Sequence, residues 1–275
     1  MVSRNDIIGQ KNVLDRIDDL VETNNFPRFC IIVGPPKSGK RLIANYISDK
    51  LNCQFVPSSI KIDDVRDVIN SSYTVMDNVC YMWANADDMS IGAKNAILKI
   101  TEEPPLNSYF IITLRTTENM LPTILSRGTT LYLQPYTPDE LSVYGNKRTF
   151  IVDDITANMC STPGEIDMII QYGEGDFLNF ANSVLDNIGI ASISNCLKLS
   201  NNFALKKDDD KYDISLFLHC ISTLSLIRYK ETLDIKYNEL CIKTCDILSE
   251  FKVSSVSKLA VLDKWLLLAN QILGG

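Results

Sequence analysis

A chain of 275 residues, 45% apolar and 22% charged, has room for two or three domains with real cores. Its formal net charge of −7 argues against a protein that grips nucleic-acid phosphates with its own surface, since such a surface is usually basic. No run approaches the ~18 apolar residues of a membrane span, and Val2-Ser3-Arg4-Asn5-Asp6 opens no signal peptide. A cytoplasmic protein without a membrane partner is expected.

In chain order, Val13, Leu14, Ile17, Leu20 and Val21 recur at helical spacing after Ile7-Ile8-Gly9-Gln10 and predict an amphipathic helix. A turn over 24–28 leads into a short apolar strand over 30–33. Gly34-Pro35-Pro36-Lys37-Ser38-Gly39-Lys40 follows, and then a helical pattern of Leu42, Ile43, Tyr46 and Ile47. Strand, glycine loop and helix start are the setting of a phosphate-binding loop. Gly34 and Gly39 let backbone N–H groups turn toward an anion, and the helix N-terminus adds partial positive charge. Lys40 can reach the outer phosphates. The next position departs from the pattern, because a Ser or Thr hydroxyl there ligates Mg²⁺ and Arg41 cannot. ATP or ADP is therefore expected to bind weakly through Gly34, Pro35, Ser38, Gly39, Lys40 and Arg41, with Mg²⁺ poorly provided for.

A second strand is expected over 54–56. Asp63-Asp64 then reads as the cap of a helix that turns Val65, Val68 and Ile69 inward. Residues 79–84 form a continuous apolar run, the mark of a strand buried on both faces of a parallel sheet. A phosphate-loop ATPase places its Mg²⁺-holding acid at the end of such a strand; here Ala84 and Asn85 stand there. Asp87 and Asp88, a few residues on, are expected to cap the next helix, over 95–103, which Pro104-Pro105 stops. Strands over 109–114 and 130–133 complete the alternation. The prediction is an α/β fold with a doubly wound parallel sheet.

Pro135-Tyr136-Thr137-Pro138 marks a boundary. Residues 139–144 and 155–172 read as a small helical unit broken at Ser161-Thr162-Pro163-Gly164, and Gly173-Glu174-Gly175 reads as a second linker. From Asp176 the pattern is helical, interrupted by a charged loop over 206–211, with apolar or amphipathic stretches over 216–227, 240–251 and 256–273. Leu259, Leu262, Leu266, Ala269 and Leu273, with Trp265 beside them, make a stripe that suits a core or a subunit interface. Three domains are expected: a nucleotide-binding-like domain over 1–135, a small helical one over 136–173 and a larger helical one over 174–275, which the resemblance described next makes a lid and a collar. None of the eight cysteines forms a C-x-x-C pair. Cys241 and Cys245 share a helix face without a second pair to complete a zinc site, so buried free thiols and no zinc are expected. His219, the single histidine, lies in an apolar helical stretch where packing is its expected role.

Several stretches resemble the clamp-loader branch of the AAA+ ATPases, in particular the delta-prime and gamma subunits of bacterial DNA polymerase III. Asn95-Ala96-Ile97-Leu98-Lys99-Ile100-Thr101-Glu102-Glu103-Pro104-Pro105 is similar to that family's N-A-L-L-K-x-L-E-E-P-P, and Ile124-Leu125-Ser126-Arg127-Gly128 to its L-x-S-R-C. Ile62-Asp63-Asp64-Val65-Arg66 resembles the segment ahead of its Mg²⁺-binding strand, and Ser161-Thr162-Pro163-Gly164 the G-S-P-G turn of the delta-prime lid. The helical C-terminal part is similar to the family's collar. The resemblance implies one member of a hetero-pentameric arc that opens a sliding clamp and places it on primed DNA. Nucleotide then sits between neighbouring subunits, and Arg127 is the arginine that reaches into a neighbour's site. Other subunits would supply most of the positive field for DNA. Within the family, Arg41, Ala84 and Asn85 all remove metal or water-activating chemistry. Leu114 stands where active subunits carry a polar sensor, and Pro163 replaces their lid arginine. That pattern resembles the delta-prime stator, which does not hydrolyse ATP, in a reduced form lacking the family's four-cysteine zinc module.

Two other readings stay open. An ATP-hydrolysing gamma-like subunit needs Asp87 or Asp88 to reach the metal. A small phosphate-loop kinase or phosphotransferase needs a basic acceptor-binding lid, for which Lys147-Arg148 is the only cluster.

Overall fold

The computed structural model describes residues 1–203, 212–250 and 257–275. The charged loop expected over 206–211, and the helix-end positions at 251 and 256, lie outside the described residues. The chain divides into two compact units, Met1–Tyr136 and Thr137–Gly275.

The first unit opens with α1 (Lys11–Glu22) and runs through β1 (Phe29–Val33), α2 (Lys40–Lys50), β2 (Gln54–Ser58) and α3 (Ile62–Ser72). Next come β3 (Val79–Trp83), α4 (Ile91–Glu102), β4 (Ser108–Leu114), the single turn α5 (Pro122–Leu125) and β5 (Thr129–Tyr132). All five strands are parallel, in the order β2-β3-β4-β1-β5. The order explains a residue that reads poorly in a strand: Pro57 lies in β2, an edge strand, where a missing N–H costs no ladder bond.

β1 and β3 are buried along their whole length, so their apolar runs serve two cores. One face carries Ile31, Val33, Tyr81, Trp83, Phe110 and Ile112, covered by residues of α3 and α4 such as Val65 and Ile97. Tyr81 and Trp83 both stack on Phe110, with ring centroids 5.5 and 5.8 Å away. The other face carries Cys30, Ile32, Cys80, Met82 and Ile111 against α1 and α2. Buried Gln10 closes the far edge: its side-chain amide gives and takes a 2.8 Å hydrogen bond with the backbone of Gln134, as a neighbouring strand would.

Local capping differs from the sequence expectation at two places. Lys61 is the N-cap of α3, and Asp63 and Asp64 lie in its first turn, where they complement the helix dipole instead of capping it. Asp87 and Asp88 do not cap α4, which begins earlier than expected; Ser90 does, its hydroxyl accepting the Ala93 N–H.

The second unit is helical: α6 (Pro138–Lys147), α7 (Asp154–Met159), α8 (Pro163–Tyr172), α9 (Glu174–Asn187), α10 (Ile193–Lys198), α11 (Ile214–Thr232), α12 (Ile235–Glu250) and α13 (Lys258–Gly274). The expected linker at 173–175 is a single break. Gly173, at φ +77°, ends α8, and α9 starts at the next residue. An aromatic cluster of Tyr172, Phe177, Phe180, Phe203, Tyr212, Phe217 and Trp265 packs ring against ring across α8, α9, α11 and α13. Half-buried Arg228 ties three helices, reaching Asp186 at 2.7 Å, Asn182 at 3.0 Å and Tyr237. All eight cysteines are free; Cys245 is exposed and Cys53 and Cys241 are half-buried, so the thiols are not uniformly buried as expected.

Candidate functional site

In a parallel sheet the loops after the strands gather at one edge, and ligands bind outside those carboxyl ends. Here that edge assembles the loop after β1, the turn after β3 and the residues after β4. Gly34 leaves β1 with its N–H donated to Leu114 O at 3.1 Å, which seats the loop beside β4. A Cβ at Gly34 would lie 3.0 Å from Leu133 Cβ and 3.1 Å from Ser38 Oγ, so the close approach needs glycine. Gly39 caps α2 at φ +81°, the left-handed conformation that a side chain resists. Buried Ser38 folds the loop on itself, its hydroxyl donating to Pro35 O at 2.7 Å while Tyr136 donates to its carbonyl at 2.9 Å.

Lys40 is buried beneath this loop and donates to Gly34 O and Pro35 O, each at 2.6 Å. Burial lowers its pKa from 10.5 to about 8, with the Asp87 charge opposing that fall and the Arg115 charge adding to it. Arg41, the next residue, is exposed.

The turn Ala86–Asp88 brings the acids of the site. Asp87 is buried and receives Arg115 Nε at 2.5 Å and the Arg115 backbone N–H at 3.4 Å. A further guanidinium nitrogen of Arg115 pairs with Asp88. Asn85 adopts φ +52° and donates its N–H to Thr113 Oγ1 at 3.0 Å, locking the end of β3 to β4. Buried Lys94 of α4 donates to Asp87 O at 3.1 Å and Asn119 O at 2.6 Å, tying the acidic turn to the loop after β4.

These residues fit a phosphate group and fit a metal poorly. The glycine cradle, the start of α2 and the Lys40 ammonium together make an anion seat. Position 41 has no hydroxyl, the Ala84 side chain has no metal-ligating atom, and Asp87 and Asp88 are held by a guanidinium. Among the described residues, no group of three or more His, Cys, Asp or Glu side chains is placed to hold a metal ion.

Arg127, expected as a trans-acting arginine, lies between α5 and β5 and is not without an acidic neighbour, contrary to the local sequence. Its Nη2 pairs with Glu102 of α4 at 2.8 Å and its Nη1 donates to Thr123 O at 2.8 Å. Gly128 behind it packs closely on β1, since a Cβ there would fall 2.6 Å from Ile31 Cδ1. Leu114, expected where active subunits carry a polar sensor, is fully buried, and the polar groups beside it are Thr113 and Arg115. Sequence reasoning missed Arg115, Lys94 and Glu102. Arg115 carried a readable signal, because it directly follows a strand beside the one that bears the phosphate loop.

The sheet order, the glycine loop after an interior strand and the helices on both faces define the nucleotide-binding fold of the AAA+ class. The structure is similar to a mutant form of RuvB from Thermotoga maritima, with a TM-score of 0.54 over 98% of this chain and 90% of that one at 14% identity, which bears on the fold alone. In sequence, residues 55–137 match the family described as DNA polymerase III, delta subunit. Replication factor C subunit 3 of Schizosaccharomyces pombe is 22% identical across 94% of this chain and 79% of its own length. DNA polymerase III subunit tau of Bacillus subtilis is 24% identical over an alignment 153 residues long that covers 44% of this chain and 27% of tau. These matches support a likeness to the clamp-loader branch of the AAA+ proteins, carried in sequence by residues 55–137.

Proposed function

We propose that the chain is the non-hydrolysing, stator-type subunit of a sliding-clamp loader in DNA replication. It holds ATP or ADP weakly, with little provision for Mg²⁺, and lends Arg127 to the ATP site of a neighbouring subunit. The observation that carries this reading is the Asp87–Arg115 pair: the acid whose charge acts on Lys40 is neutralised by a protein cation where hydrolysis requires Mg²⁺. Arg41 points the same way, since it leaves the metal without a hydroxyl ligand. The partners this implies are the other loader subunits of a hetero-pentamer, the sliding clamp, and primed DNA held by the assembled complex. A cytoplasmic location belongs to the same reading. No helix among the described residues is long and apolar enough to cross a membrane.

The retained Lys40 and glycine cradle favour a second reading, an ATP-hydrolysing gamma-like subunit. One experiment separates the two. The isolated chain should turn over ATP no faster than its Lys40→Ala variant, whereas Mg²⁺-dependent turnover near one per second that Lys40→Ala abolishes establishes the gamma-like reading. For the trans role, Arg127→Ala in the reconstituted loader should leave assembly intact and cut clamp- and DNA-stimulated ATPase. An arginine finger contributes on the order of 10³-fold at the site it serves, but only one neighbouring site loses its finger, so total hydrolysis falls partly and clamp loading falls further.

A further inference from the structure

We propose that Glu102 is the positioning residue of Arg127, holding its guanidinium in a fixed orientation before a neighbour's nucleotide arrives. The inference rests on the trans role of Arg127 argued above. Glu102 is the last residue of α4, and Arg127 follows α5. Folding brings them together so that Nη2 meets Glu102 Oε1 at 2.8 Å while Nη1 meets Thr123 O at 2.8 Å. The backbone of the same segment is pinned, with the Arg127 N–H donated to Ile124 O at 3.2 Å. Two contacts on different nitrogens, an ion pair with Glu102 and a hydrogen bond to Thr123 O, restrain the planar group from rotating about its long stem and leave most of its five N–H donors uncommitted. The remaining donors are left for a phosphate.

Two features of the placement favour positioning over simple stabilisation. The pair is open to solvent, with the Arg127 side chain 36% and the Glu102 side chain 55% exposed, so it contributes little to folding. Glu102 also sits at the C-terminal end of α4, where the helix's partial negative charge adds to its own and strengthens the hold on a cation. An arginine on a flexible stem must give up rotamer freedom to meet the charge that develops on a transferring phosphoryl group. One already held gives up less, and that difference appears in turnover, because the group is aimed at the transition state.

The test is steady-state ATPase of the loader reconstituted from this chain and its partner subunits, with clamp and a primed oligonucleotide present. Five forms are compared: wild type, Glu102→Ala, Arg127→Ala, the double variant of these two, and Glu102→Gln, which keeps an oxygen acceptor. The expected result is a kcat lowered about fivefold at the neighbouring site by Glu102→Ala, the scale an exposed ion pair supports, with KM for ATP and assembly unchanged. Glu102→Gln should recover part of the loss, and the double variant should be no worse than Arg127→Ala alone. If Arg127→Ala lowers turnover and Glu102→Ala does not, positioning is wrong and the trans arginine stands. Losses that add in the double variant also overturn positioning, because Glu102 then acts independently of Arg127. If Arg127→Ala itself has no effect in an assembled complex, the trans role falls and this inference falls with it.

Discussion

At the scale of single residues, the most informative group is Lys40. Its ammonium is tucked under the phosphate loop on two carbonyl oxygens, and burial holds its pKa at about 8 against an ordinary 10.5. The sign of the linkage follows. Below pH 8 the amine is protonated in both folded and unfolded chains, and the folded state carries the full cost of a buried charge. Between about 8 and 10.5 the unfolded chain binds a proton that the folded chain has released, so stability rises with pH across that window and levels off above it. Other groups titrate there too, so the measurement is a difference: urea midpoints of wild type and Lys40→Met from pH 7 to 10.5. Wild type should gain on the variant as pH rises, and a gap that stays constant would mean the amine is not buried. A phosphate on the loop would draw the proton back. ADP binding at pH 9 should therefore take up protons, seen as a buffer-dependent heat in calorimetry.

Elements are where small residues decide the packing. The end of α13 crosses the turn Ile188–Ile190 so closely that a Cβ on Gly189 would lie 2.7 Å from the Leu273 carbonyl. Asn270 secures the crossing by donating to the carbonyls of Ile188 and Ala191, the latter at 3.0 Å. Because the obstacle is backbone, it cannot swing aside as a side chain would. Gly189→Ala should cost ~1–3 kcal/mol, the range for overpacking, seen as a lowered unfolding midpoint in the helical unit; an unchanged midpoint would show that α13 can shift freely. The crossing at Gly128 is softer, since its neighbours are the Ile31 and Phe29 side chains. There Gly128→Ala should destabilise the first unit, and adding Ile31→Val should recover part of the loss by removing the methyl that the new Cβ meets.

At the scale of the whole molecule, each compact unit carries its own core. Residues 1–136 enclose both faces of the sheet. Expressed alone they should fold, giving dispersed amide resonances and a cooperative melt; an unfolded fragment would mean that the helical unit contributes to that core. The helical unit has a different expected role. Ile190, Ile193, Leu233 and Ile235 are large and exposed on it, which suits a surface covered in an assembly. Deleting residues 176–275 should abolish co-purification with loader subunits, and undiminished assembly by the truncated chain would remove the collar assignment.

What the sequence determined by itself was the buried strands and the glycine loop, which depend on near neighbours. Apolar runs over 30–33 and 79–84 mark the buried strands because a strand covered on both faces has no polar side to show. Gly34, Gly39 and Lys40 mark the phosphate loop because backbone conformation and reach are local matters. The tertiary structure alone decided which charges meet. Arg115 and Asp87 lie 28 residues apart, and only the pairing of β3 with β4 brings them to one edge of the sheet. Lys94 crosses to Asn119, 25 residues on, for a similar reason. The partner of Arg127 is Glu102, at the end of another helix, which no local pattern reveals. Periodicity reports which face of an element is buried, but the partner of an exposed or half-buried charge is set by the packing of elements distant in the chain. That is why the glycine loop could be read in advance, while the guanidinium holding Asp87 and the carboxylate holding Arg127 could not.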